Sequence, residues 1–203
     1  MNRHCLRRLI YLRLAASIRP MTLTYSEMVH LGKTAPSFKL RGIDDDWHSL
    51  EDFRGKKAVV VMFICKHCPY VIAVQDRLAA LAKKFTPQET QFIGINSNDT
   101  DRYPEDSPDN MRAQAQAVGF NFPYLIDDTQ EVARAYGAVC TPDIFVFDEE
   151  FKLRYRGRID DNWKDHSKVT RRDLETALEA VLNNKDVSED QMPSMGCSIK
   201  WRA

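Results

Sequence analysis

The sequence predicts an α/β protein with a central mixed β-sheet and helices on both of its faces, and three observations lead there. A continuous apolar run fills residues 58–64, amphipathic stripes with helical spacing alternate with further strand-like runs, and two late strands are joined by a turn short enough for an antiparallel hairpin. Strands that alternate with helices and then close in a hairpin plus a helix leave two sheet faces to be covered. One domain suffices, because 203 residues without a second compositional block fit a single core.

The run Ala-Val-Val-Val-Met-Phe-Ile at 58–64 is β-branched and aromatic throughout, the pattern of a strand buried on both faces. From Pro69 the period changes. Val71, Val74, Leu78, Leu81 and Phe85 recur at steps of three and four, which marks one stripe of a helix entered directly from the strand. Gln91 to Asn96 reads as a second strand. Ser107-Pro108 reads as an N-cap followed by proline in the first turn of a second helix, which Gly119 closes. A short helix is expected over 130–136. Ile144-Phe-Val-Phe147 and Lys152-Leu-Arg-Tyr-Arg156 then form the hairpin around Asp148-Glu149-Glu150. Thr170 and Asp173 resemble a capping box ahead of Leu174, Ala177, Leu178, Val181 and Leu182, a last amphipathic helix.

Composition narrows the function. Hydrophobic residues make up 43% and charged residues 29% of the chain, and 29 basic side chains balance 29 acidic ones. Such a balance lacks the concentrated basic face that a nucleic-acid partner needs. Residues 1–26 carry Arg3, Arg7, Arg8, Arg13 and Arg19 and no acid before Glu27. This leader, taken with Tyr25 as its end, reads as a dispensable basic extension ahead of the domain at 26–203, with an organelle transit peptide as the alternative. No apolar run reaches the roughly 20 residues of a membrane span. The five cysteines are an odd number and too sparse for a disulfide-dense secreted framework, so a reducing, cytoplasmic setting is expected.

Cys65 and Cys68 carry the chemistry. Three residues apart at a strand-to-helix junction, they lie close enough to open and close a disulfide. Placed at the helix N-terminus beside Lys66 and His67, Cys65 is expected to have a depressed pKa and to attack, with Cys68 more buried and resolving. Two functions of different class fit. One is a dithiol oxidoreductase that works on disulfides, without a cofactor and with electrons from another dithiol donor. The other is a zinc- or copper-binding protein using Cys65, Cys68 and His67, because soft thiolates suit those metals.

Four segments in order, Cys65-Lys-His-Cys68-Pro-Tyr-Val71, Cys140-Thr-Pro-Asp-Ile-Phe-Val-Phe-Asp148, Tyr155-Arg-Gly-Arg-Ile-Asp-Asp161 and Pro193-Ser-Met-Gly-Cys-Ser-Ile-Lys-Trp201, resemble the peroxiredoxin-like, or redoxin-domain, proteins of the thioredoxin fold. The likeness runs from about Thr34 to Trp201. It implies a thioredoxin-like fold, a thioredoxin-type reductant, and a disulfide or peroxide substrate. It also implies that Thr141-Pro142 is the fold's cis-proline, set against the helix that carries the dithiol, which would bring Cys140 near. True peroxiredoxins place their nucleophile in a Pro-x-x-x-Thr-x-x-Cys pattern; here Ala58 and Met62 stand at the proline and threonine positions. Arg156 or Arg158 is then the candidate to stabilise a thiolate.

Other residues divide between functional and bland readings. Cys140 reads as a third redox thiol or, more simply, a small buried hydrophobe. Cys197 reads as a thiol that folds back on the site or as a spare on the tail. His67, between two cysteines, reads as a group that tunes them. Asp44-Asp45-Asp46 reads as a solvated turn, and Asp160, Asp161 and Asp165 with His166 as surface, since neither group has ligand spacing.

Overall fold

The computed structural model describes residues 23–202, so expectations for residues 1–22 lie outside it. Its centre is strand β4 (Ala58–Phe63), whose six side chains are all inaccessible to solvent. Being β-branched or large and apolar on alternate faces, they seed two cores. Ala58, Val60 and Met62 face α1 (Pro69–Phe85) and α4 (Asp173–Leu182), while Val59, Val61 and Phe63 face α3 (Glu131–Tyr136) and the N-terminal segment. In α1 the residues that enter the first core are Val71, Val74, Leu78, Ala82 and Phe85, the stripe read from the sequence with Ala82 in place of the half-buried Leu81. Each large member contributes about 1.5–3 kcal/mol by its burial.

The remaining strands are β1 (Leu23–Tyr25), β2 (Lys39–Gly42), β3 (Trp47–Ser49), β5 (Thr90–Asn96), β6 (Tyr124–Ile126), β7 (Cys140–Thr141), β8 (Asp143–Asp148), β9 (Leu153–Gly157) and β10 (Met195–Ser198). Seven form one sheet in the order β3-β2-β6-β5-β4-β8-β9. β4, β5 and β6 run parallel, and β2, β3, β8 and β9 join antiparallel, so the sheet is mixed as expected. A second sheet, β1-β10-β7, packs β10 against α1 and forms a strap. The boundary drawn after Tyr25 therefore falls at the end of a strand that pairs with residues 195–197.

Helix α2 (Pro108–Val118) starts after Ser107 and ends at Gly119, which takes φ 78° and donates its N–H to Ala115. A left-handed residue at this position favours glycine. The start of α4 departs from expectation. Arg172 is its N-cap, Thr170 turns its N–H and hydroxyl to Asp161, and Asp173 pairs with Arg158 and Arg171, so no capping box forms. Asp160 is likewise not a surface residue. It is 6% exposed and pairs with Arg77, whose guanidinium also donates to the Asn162 and Trp163 carbonyls and so ties α1 to the loop after β9. Asp44 and Asp45 serve the turn between β2 and β3 through His48 and Arg41.

Candidate active site

The five-residue segment 64–68 links β4 to α1, and one carboxylate holds it. Asp106, with no solvent exposure, takes the backbone N–H groups of Lys66 (2.8 Å) and His67 (3.0 Å) on Oδ1. Its Oδ2 meets His67 Nδ1 at 2.5 Å and Asn98 Nδ2 at 2.8 Å. A carboxylate has about four acceptor positions. All of them are used here. Burial alone would raise the Asp106 pKa, but the hydrogen bond and charge of His67 outweigh it and hold the carboxyl below its ordinary value. In return, burial would lower the His67 pKa, and Asp106 reverses this and raises it. The two form an ion pair beneath the dithiol. His67 also stacks on Tyr103, and its Nε2 is buried with no hydrogen-bond partner.

Cys65 and Cys68 are both fully buried. Thr141-Pro142 is cis, and Thr141 faces both sulfurs: its Oγ1 lies 3.4 Å from Cys65 Sγ, and its carbonyl accepts the Cys68 thiol at 3.1 Å. The resemblance thus places the proline loop correctly. The charge distribution is otherwise than expected. Cys68, not Cys65, is the N-cap of α1, three residues nearer the helix amides than Cys65. Burial, the Cys68 thiol and the Asp106 charge push the Cys65 pKa well up. Hydrogen bonds from Cys197 and Cys65, together with the Val71 backbone N–H, bring that of Cys68 down. Of the two thiols, Cys68 is therefore the more readily ionised, and ionising it gives up its hydrogen bond to the Thr141 carbonyl.

Other expectations divide. Lys66 points away and donates to Asn110 Oδ1 at 3.1 Å, so its charge does not serve the dithiol. Arg156 is buried against Asp143 (2.9 Å) and the Gly137 carbonyl, and Arg158 pairs with Asp173; neither supports a thiolate at residues 65–68. Cys140 donates to the Pro142 carbonyl at 3.6 Å and is kept protonated by burial, which is the bland reading. Cys197, by contrast, is brought to Cys68. Cys65, His67 and Asp106 have ligand-type atoms within 4.8 Å of one another. Because Asp106 has no acceptor position to spare, the cluster does not amount to a three-ligand metal site.

Sequence reasoning missed Asp106, Asn98 and Gln130. Asn98 joins the Asp106 carboxylate to the backbone N–H of Lys200, and Gln130 holds the Lys200 carbonyl and the Arg202 N–H. The one available signal was the polar run Asn96-Ser-Asn-Asp99 at the end of a buried strand, where side chains without partners would be costly.

The AhpC/TSA family matches residues 31–156, over half of the chain. A thiol-disulfide oxidoreductase ResA of Geobacillus kaustophilus is 28% identical over 162 residues, covering 78% of this chain and 82% of that protein. A putative peroxiredoxin of Mycobacterium tuberculosis is 28% identical over 107 residues, covering 53% of this chain and 63% of that one. Among solved structures, an uncharacterized conserved protein of Geobacillus kaustophilus superposes with a TM-score of 0.86 at 47% identity, covering 91% and 98% of the two chains. A hypothetical protein of Sinorhizobium meliloti gives 0.85 at 41% identity, covering 89% and 99%. A putative thiol:disulfide interchange protein of Chlorobium tepidum shares the fold at 18% identity and a TM-score of 0.60, covering 76% and 99%. With its thioredoxin-like sheet, its cis-proline and a dithiol at the first strand-to-helix junction of the central sheet, this chain belongs to the AhpC/TSA family.

Proposed function

We propose that the protein is a thiol-disulfide oxidoreductase in which Cys65 and Cys68 cycle between dithiol and disulfide. The observation that carries this reading is the pair of adjacent buried sulfurs, both in contact with Thr141 and one of them capping α1. The more readily ionised sulfur, once deprotonated, attacks a substrate disulfide and expels one substrate thiolate. The second sulfur, after its proton passes to the departing thiolate, displaces the other substrate half and closes the Cys65–Cys68 disulfide. A second dithiol, of the thioredoxin type, then returns two electrons and two protons. His67 and Asp106 fix the loop and set the field in which the charge moves. A groove lined by Tyr25, Tyr70, Pro142, Trp163 and Met195 adjoins the site and suits an apolar or peptidic substrate. The sparse, odd cysteine count favours work in a reducing compartment.

Peroxide reduction is the second reading, favoured by the family. Met62 at the threonine position and the engagement of both arginines elsewhere put it behind disulfide exchange. The test is catalysed reduction of insulin disulfides by dithiothreitol, run beside hydrogen peroxide consumption. Wild-type protein should accelerate the first, and Cys65→Ser and Cys68→Ser should each abolish that acceleration. Acceleration that survives both substitutions would refute the assignment. Stoichiometric zinc or copper that survives dialysis and blocks both thiols would favour the metal-binding reading instead.

A further inference from the structure

We propose that Cys197 is a third redox thiol, exchanging with the Cys65–Cys68 pair through Cys68, and this rests on the dithiol reading above. Three sulfurs lie in a chain in which the middle one, Cys68, hydrogen-bonds with both Cys65 and Cys197. Backbone pairing holds Cys197 there from both sides. On one side Cys197 stands opposite Thr141, the residue whose carbonyl touches Cys68; on the other it stands opposite Leu23. The strand approaches so closely that a Cβ on Gly196 would come within 1.9 Å of the Thr141 carbonyl oxygen. Ile199 then donates to the Val139 carbonyl at 3.0 Å, and Lys200 to Asn98 Oδ1 at 2.8 Å, so the tail is clamped directly after the cysteine. Cys197 is 2% exposed. A small apolar residue would fill that space equally well; the thiol adds a donor, and a nucleophile, beside the sulfur that both disulfides would share.

The exchange conserves electrons. In the oxidised protein the Cys197 thiolate attacks Cys68 Sγ, a Cys68–Cys197 bond forms, and the Cys65–Cys68 bond breaks with its electron pair leaving on Cys65. The proton lost by Cys197 is taken up by the freed Cys65 thiolate. The product keeps one disulfide, now tying the β1-β10 strap to the head of α1, while Cys65 is again a thiol.

Full-length wild-type protein is poised in glutathione buffers, quenched with acid, alkylated with N-ethylmaleimide and digested with trypsin. Cleavage after Lys66 leaves Cys65 in peptide 58–66 and Cys68 in peptide 67–77, while Cys197 falls in peptide 186–200. The two disulfides therefore give different cross-linked peptides. We expect the 67–77/186–200 product to rise together with 58–66/67–77 and to reach at least about a tenth of it, which corresponds to a preference of no more than about tenfold between the two disulfides. In Cys65→Ser, and equally in Cys65→Ala, 67–77/186–200 should become the sole intramolecular product. The proposal is overturned if Cys197 stays fully alkylatable wherever Cys65–Cys68 is complete and neither variant gives the 67–77/186–200 product. Absence of the 58–66/67–77 product at every potential would instead sink the dithiol reading on which it rests.

Discussion

Replacing Asp106 by asparagine separates what this carboxylate does for the fold from what it does for the sulfurs. In the wild type it is buried and accepts four hydrogen bonds, from two backbone amides, His67 and Asn98. The asparagine oxygen can keep the two amides. Its NH2 group, however, would face the Asn98 amide as donor against donor, and His67 would lose its counter-charge. Removing one partner of a buried ion pair costs about 3–5 kcal/mol, a large part of the roughly 5–15 kcal/mol that holds a domain folded. Guanidinium unfolding of the reduced protein should show a loss of this size. The same substitution removes a charge that raises the Cys65 pKa. Relative iodoacetamide labelling, read on the tryptic peptides 58–66 and 67–77, should therefore shift toward Cys65, and a ratio within one molecule cancels any shared opening of the strap. Unchanged stability, or a ratio that moves toward Cys68, would refute this account of the site.

The His67–Asp106 pair also implies a pH dependence. Because the folded His67 pKa is raised, its stabilisation is complete below about 6.5, the unfolded value, and declines as pH rises through the folded value. Asp106, depressed, contributes above about 3.9 and loses that contribution as pH falls further. Unfolding curves should show a decline on the alkaline side that His67→Ala removes; a decline of equal size in the variant would assign it to other groups. In Gly196→Ala the new Cβ meets the Thr141 carbonyl, so the strap should lift and Cys197 should be alkylated many times faster than in wild type, measured on peptide 186–200. An unaltered rate would mean that the strap does not shield this thiol. Cys140→Ala should cost about 1–2 kcal/mol, as for other small deletions from a packed core, and leave disulfide reductase activity intact. Loss of activity in a folded Cys140→Ala protein would restore a redox role to that residue.

What the sequence revealed follows the strength of its periodic signals. β4 and α1 were legible because seven consecutive apolar residues and a five-member helical stripe leave little choice of partner surface. The strands β2, β3, β6 and β10 were not. Each has three or four residues, and Lys39–Gly42 alternates exposed and buried positions over too short a span to stand out. The dithiol was legible from spacing and context. Its electrostatics were not, because they depend on Asp106, which lies 38 residues after Cys68 in sequence and reaches the site only through the packing of the loop before α2. The depressed pKa assigned to Cys65 failed for a related reason: the helix begins at Pro69, and its N-cap is Cys68.

The central claim is that Cys65 and Cys68 form a working redox couple, and an equilibrium titration against reduced and oxidised glutathione tests it most directly. The purified chain, stripped of metal, is equilibrated anaerobically across the glutathione range and mapped by mass spectrometry after alkylation. The account predicts a reversible two-electron transition, with the Cys65-containing peptide 58–66 joined to 67–77 on the oxidised side and both cysteines alkylated on the reduced side. Cys65 and Cys68 that stay alkylatable at every glutathione ratio, or a cross-link that cannot be reduced again, would contradict it.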